Sequence, residues 1–272
     1  MTNQNNITPV QPYLILNADN YQRIHAGDLG ISQFYEFKVE NGGLKEFQAV
    51  PDGSIDIVFG INEENVRVYI GGTVLKVKQW DFEEGRTYFG VRFEPGRCIL
   101  PHGLSIREVV NADLEIDKKE YGDCLVENIA QSRDILQRSQ IFMRYYQQMQ
   151  QQESQDTVHT IERYVRKRIY ESCGNITVKE LSKETGYSEC YVRRSFEQIH
   201  GISPKVFERF VRFQYMLNSI GQYANEARME ELAVACGYYD QSHMMKDFKS
   251  FAGTTPELYR GMISVMDWKK IV

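Results

Sequence analysis

Two sets of side chains in the last third of this 272-residue chain are spaced for recognition chemistry rather than for breaking bonds. Gln241, Ser242, Met245 and Lys246 fall on one outward helical face. Glutamine, serine and lysine can bond to base edges or phosphates, and methionine can pack against a thymine methyl. Upstream, Glu189, Cys190, Arg193 and Arg194 form a second outward set. Either arginine can hold the edge of a guanine with two bonds. His243 faces either a phosphate or its own domain.

Catalytic chemistry has no comparable set. No G-x-S-x-G elbow and no Gly-rich phosphate loop occurs. The first half holds only His25 and His102, far apart, so no His-x-His metal pair forms. The five cysteines, at 98, 124, 173, 190 and 236, make no C-x-x-C pair, which fits a reducing compartment. Arg97 beside Cys98 is one basic neighbour and does not make a reactive thiol. No catalytic residue, metal or cofactor is expected.

The elements that must position these sets read as two helical hairpins. In EELAVACGYYDQSHMMKDFKSFAGTTPELYR, Glu230 to Arg260, the groups Leu232, Ala233 and Cys236 share one helical face. Gly237 supplies a sharp turn, and Asp240 is suited to cap the next helix. Met244 and Phe248 lie four apart and face inward, and Gly253 and Pro256 end the unit. From Ile176 to Phe207 the same parts recur in order. Val178, Leu181 and Ser182 open the copy, Gly186-Tyr187 turns it, and Ser188 caps it. Val192 and Phe196 are its inner pair, and Gly201 and Pro204 close it. The later copy has one extra residue in its turn. Two copies with matching punctuation are a much stronger signal than one.

From about Thr157 to Met262 the chain resembles the DNA-binding domain of AraC/XylS-family transcription regulators. The residues that carry the likeness are Gly237-Tyr238, Ser242, Phe248-Lys249, Gly253, Pro256 and Tyr259-Arg260. The resemblance implies two helix-turn-helix units joined by a long helix, here Pro204 to Ile220. At ~1.5 Å per residue that helix spans roughly 25 Å, a length suited to setting two reading helices one DNA turn apart. Cys190 and Glu197 depart from the family, which often has a larger contacting residue at the first position and a basic residue at the second. The implied contacts are Cys190, Arg193, Arg194, Gln241, Ser242, Met245 and Lys246.

The net charge of −5 is at first sight wrong for such a partner. From Thr157 onward, however, 17 Lys+Arg stand against 14 Asp+Glu, a net of +3, and the remaining 15 against 23 give −8. The acidic excess belongs to the other half. The composition, 42% hydrophobic and 25% charged, is globular, and no run approaches the ~20 apolar residues of a membrane span. The polar N-terminus lacks an export pattern, so a cytoplasmic location is expected.

Before Thr157 the texture changes twice. Residues 1–12 read as mobile. Apolar runs at 33–39, 54–61, 65–80 and 87–95, divided by Asn41-Gly42-Gly43, Pro51-Asp52-Gly53, Gly71-Gly72 and Glu84-Gly85, predict an antiparallel barrel or sandwich. Pro51 to Asp56 and Gly90 to Gly96 resemble the cupin-like sensing domains that precede some AraC-type modules. Such a barrel can enclose one small molecule. Its candidate lining is Tyr35, Phe37, Phe59, Trp80 and Arg92, the aromatics otherwise simply filling the core. Arg92 either anchors an anionic or carbonyl group or faces solvent, and Asp52 and Asp56 read as turn or capping residues.

From Tyr121 to Gln152, Leu125, Ile129, Leu136, Met143 and Tyr146 recur at helical spacing. Their stripe packs either on its own barrel or on a partner helix, and the resemblance implies a homodimer. Gln147 to Asp156 reads as a linker.

The chain is thus expected to be α+β: a β-barrel sensing domain over 1–120, a helical dimerisation and linker region over 121–156, and a double helix-turn-helix domain over 157–272. The expected partners are double-stranded DNA, a small-molecule effector, a second copy and RNA polymerase, with no membrane. A cupin-type enzyme and a ligand-independent regulator are the competing readings.

Overall fold

The computed structural model describes residues 9–40, 47–150, 157–222 and 228–264. It is α+β, with an antiparallel sheet first, helices packed on it, and an all-helical region last. The strands are β1 (Asp19–His25), β2 (Ile31–Lys38), β3 (Phe47–Ala49), β4 (Asp56–Ile61), β5 (Val66–Gly71), β6 (Lys78–Trp80), β7 (Thr87–Phe93) and β8 (Asp113–Ile116). Six pair in the order β1-β2-β7-β4-β5-β8, and β3 with β6 forms a separate two-stranded sheet.

β4, DIVFGI, is buried along its whole length, as a strand covered on both faces must be. Alternation sends successive side chains to opposite faces. Phe34, Phe59, Phe89 and Phe93 take one face, covered by α3 (Asp123–Gln131) and α4 (Ile135–Gln150) through Leu125, Ile129, Phe142 and Tyr146. Tyr35, Phe37, Val58 and Tyr88 take the other face, covered by Phe47, Trp80 and Leu14. Leu14 belongs to α1 (Pro12–Asn17), and a short α2 (Ile106–Val109) closes one end over Ile55 and Ile70.

The stripe from Leu125 to Tyr146 is therefore two helices whose apolar side rests on the chain's own sheet, while Leu136 is 54% exposed. The run 65–80 is not one strand: the chain leaves the six-stranded sheet after the Gly71-Gly72 divider and continues as β6 of the separate two-stranded sheet. Residues 9–12, expected to be mobile, are held in place. Val10 is buried against the helical region, and the Gln11 side chain bonds to both N–H and C=O of Val50. Gln147 to Gln150 complete α4, and 151–156, the rest of the expected linker, lie outside the described residues, as do 1–8 and the Asn41-Gly42-Gly43 turn.

The helical region comprises α5 (Thr157–Glu171), α6 (Val178–Thr185), α7 (Glu189–His200), α8 (Pro204–Gln222), α9 (Met229–Ala235), α10 (Gln241–Ala252) and α11 (Pro256–Ser264). Its core is built on α8, where Phe207, Phe210, Phe213, Met216 and Leu217 are all buried. The same core takes in Val10, Tyr13 and Val50 from the first half. Gly53 shows why that junction is tight: its φ is +83°, and an added Cβ would stand 2.6 Å from the Phe207 ring.

Candidate nucleic-acid interface

The first helical pair is α6 and α7. Thr177 and Glu180 cap α6 reciprocally, with the Glu180 carboxylate 2.8 Å from the Thr177 N–H. Gly186 turns the chain at φ +74°, and Ser188 accepts from the Tyr191 N–H to start α7. Leu181, Val192 and Phe196 are fully buried beneath the pair. That burial turns Cys190, Arg193 and Arg194 outward, and all three are exposed. Arg193 bonds to Glu189 at 3.0 Å, whereas Arg194 makes no ion pair among the described residues.

The second pair, α9 and α10, repeats the plan. Leu232, Ala233 and Cys236 are buried, Gly237 turns at φ +76°, and Asp240 accepts from the His243 N–H at 2.6 Å. Met244 and Phe248 are fully buried. Ser242 and Lys246 are exposed, but Gln241 and Met245 are half-buried, and Met245 packs on the edge of the core. The open face is therefore narrower than helical spacing alone indicates. His243 is exposed and sets its ring edge-on to Tyr238.

The repeat is not exact at the turn tyrosines. Tyr187 is 41% exposed and stacks on Tyr191, while Tyr238 is buried beneath the Arg212 guanidinium. The extra residue of the second turn is Tyr239, which is 91% exposed beside the start of α10. Helical spacing does not single out Tyr239; the one-residue mismatch between the copies is the signal that points to it.

An ion pair fastens the second unit to its strut, and a hydrogen bond to a neutral histidine fastens the first. Arg209 of α8 holds Asp247 of α10 at 2.8 Å. Glu162 of α5 meets His200 of α7 at 2.8 Å and Arg166 at 2.7 Å. Burial alone would push the Glu162 carboxyl up, but the bonds from His200 and Arg166 outweigh it and hold its pKa below the usual range. Burial lowers the His200 pKa despite Glu162, so the ring is neutral near pH 7.

Residues 181–262 match the model of a family described as a helix-turn-helix domain. The C-terminal region is a helix-turn-helix domain. It is accordingly a DNA-binding unit, and the two helix pairs above are its halves. Among solved structures, the C-terminal domain of AraT, a response regulator from Geobacillus stearothermophilus, is 24% identical over 38% of this chain and 83% of its own, with a TM-score of 0.31. A probable AraC family transcriptional regulator from Rhodopseudomonas palustris is 25% identical over 38% and 94%, at 0.33. ToxT from Vibrio cholerae with unsaturated fatty acid bound aligns over 91% and 96%, at 14% identity and 0.42. No curated protein matches the chain.

In the half that precedes the helix-turn-helix domain, the five candidate ligand residues do not share one surface. Tyr35 and Phe37 are stacked within the core, in a ring group with Phe47, Phe82 and Tyr88. Phe59 is on the opposite face of the sheet, against Phe142 of α4. Trp80 lines a cavity of only about 70 Å³ with Tyr69, Phe82 and Tyr88. Arg92 does not face solvent: it is 4% exposed, with Asp56 on Nη1 at 2.7 Å and Asp52 on Nη2. Spacing could not reveal that partnership, because Asp52, Asp56 and Arg92 meet only through pairing of β4 with β7. Asp52 does serve its turn, accepting from the Ser54 N–H, but both carboxylates also balance the buried guanidinium. Burial works against the Arg92 charge, and the two carboxylates more than offset it. Among the described residues, no group of His, Cys, Asp and Glu is arranged to hold a metal, and no helix is long and apolar enough to cross a membrane.

Proposed function

We propose that this protein is a sequence-specific transcription regulator of the AraC type, acting by binding rather than by catalysis. The observation that carries the reading is the pair of capped helices α7 and α10, each buried on one side and open on the other, braced by one 19-residue helix. Arg193 and Arg194 on α7, and Ser242 and Lys246 on α10, are the exposed groups able to meet bases and phosphates. Cys190, Gln241 and Met245 complete the contact set at its edges.

In this reading, residues 157–272 read DNA, 1–120 sense a small molecule and 121–156 carry the dimer contact and the linker, in a cytoplasmic protein that recruits RNA polymerase. An effector acts by favouring one arrangement of the two halves over another. Support for that coupling comes from the junction, where Val10, Tyr13 and Val50 share a core with α8 and α10.

Selection of binding sites from a random duplex library, using the full-length protein, tests the reading. A two-part motif with its halves about 10 base pairs apart is expected. No enrichment over random sequence would sink it.

A further inference from the structure

The two helical units share a framework but not its charges. Thr177 with Glu180 caps α6 as Arg228 with Glu231 caps α9, and Pro204 opens α8 as Pro256 opens α11. Lys179 follows Val178, the first residue of α6, as Glu230 follows Met229, the first of α9. Lys205 follows Pro204 as Glu257 follows Pro256. All four side chains are exposed, so the matching surface positions are basic in the first unit and acidic in the second. One turn into α8 and α11 the signs are also opposite, with Glu208 in the first unit and Arg260 in the second.

In the first unit the two lysines flank a cavity of about 430 Å³ at the starts of α6, α7 and α8. Lys179, Arg193 and Lys205 line it, together with Glu189 and Glu208. Both carboxylates are answered, Glu189 by Arg193 at 3.0 Å and Glu208 by Lys205 at 3.4 Å. Burial also pushes the Glu208 pKa up, which lessens its charge. Nearby Glu180 spends its carboxylate on the Thr177 N–H and hydroxyl. Lys179 makes no ion pair among the described residues, and Lys205, 67% exposed, keeps ammonium hydrogens to spare. Ser203 Oγ accepts from the Val206 N–H, which leaves its own hydrogen to donate. This wall favours an anion. The matching residues of the second unit, Glu230, Gln241, Met245, Glu257 and Arg260, carry an acidic balance instead.

The place of the cavity says which anion. Glu189 and Arg193 also belong to the outward face of α7, so the cavity borders the surface that meets bases. When the second helix of such a pair enters the major groove, the first crosses the backbone. A duplex read by α7 therefore brings its phosphates to the start of α6. We propose that Lys179 and Lys205 seat backbone phosphates of the duplex, with Ser203 donating to a phosphate oxygen, and that the second unit, acidic at the same places, has no such seat. The first unit then grips the strand independently of sequence where the second does not. This rests on the DNA-binding reading above and adds where the strand is held.

The test measures binding of full-length protein to a selected duplex and to a random one between about 50 and 200 mM salt. Lys179→Gln should weaken both duplexes alike and lower the slope of log affinity against log salt by about one unit. Lys205→Gln should do the same, and Lys205→Arg should keep the parent slope. Lys119→Gln removes an equal charge from an exposed site on the sheet half and should leave the slope unchanged. Glu230→Lys, which builds the missing cation into the second unit, should steepen it by a similar amount. Lys179 is exposed, so its replacement spares the core, and cooperative melting checks that each variant folds. A parent that binds neither duplex overturns this proposal and the DNA-binding reading together. A parent that binds, with a slope that Lys179→Gln leaves unchanged or that Lys119→Gln lowers equally, overturns this proposal alone.

Discussion

Gln214 donates from Nε2 to the Pro51 carbonyl at 2.9 Å and accepts from the Val10 N–H at 2.8 Å. One amide in the middle of α8 therefore secures two separate irregular stretches of the sheet half. All three residues are buried, so water does not replace a lost bond. Gln214→Leu should cost about 1–3 kcal/mol, because it strands a buried donor and a buried acceptor. Urea denaturation should report a lower midpoint with an unchanged slope. A midpoint equal to that of the parent protein would mean that the two halves are held without this amide.

Arg92 balances two buried carboxylates, which gives a sharper expectation. Arg92→Met leaves Asp52 and Asp56 uncompensated and should destabilise by roughly 3–5 kcal/mol. The Asp56 pair also predicts a pH dependence. Burial pushes the Asp56 carboxyl from its ordinary 3.8 up to about 7. Between those values the folded protein holds a proton that the unfolded chain has released, so this group's contribution to stability declines as pH rises through 7. The Asp56→Asn variant has no proton to lose at this position. Denaturation midpoints at pH 5 and pH 8 should therefore differ more in the parent than in that variant, with the parent favoured at the acid end.

On the DNA side, surface and core variants should separate cleanly. Arg194→Ala should lose about 1–3 kcal/mol of binding to the preferred duplex if the guanidinium holds a guanine, with melting unchanged. Lys246→Ala should weaken binding across all sequences and reduce the salt slope by about one unit. Phe248→Ala, by contrast, opens a hole under α10 and should cost roughly 3–5 kcal/mol of folding stability. Mobility-shift titration at several salt concentrations, paired with calorimetric melting, distinguishes the three outcomes.

The helical half was legible because its signals are local. Gly186 and Gly237 sit at the turns, Ser188 and Asp240 cap the helices that follow, and Val192, Phe196, Met244 and Phe248 are buried as their spacing indicates. Exposure along α10 was less legible, since Met245 leans on a core whose edge only the tertiary packing defines. The sheet half announced its strands but not their partners. β1, β3 and β8 are short or polar and carried no apolar run, and the pairing of β4 with β7 that unites Asp56 and Arg92 spans 36 residues. Arg166 stands 3.9 Å from Glu94 but belongs to the second half, so no local pattern could join the two.

Tyr13 donates its hydroxyl proton to the Ala252 carbonyl at 2.8 Å and sets its ring edge-on to Tyr259. The reading half thus borrows an aromatic plug from the opposite extreme of the chain. A fragment cut at the start of α5 would be left with a socket where that ring belongs. Grafting a foreign sensor onto it would succeed only where the donor brings a ring of matching size and reach.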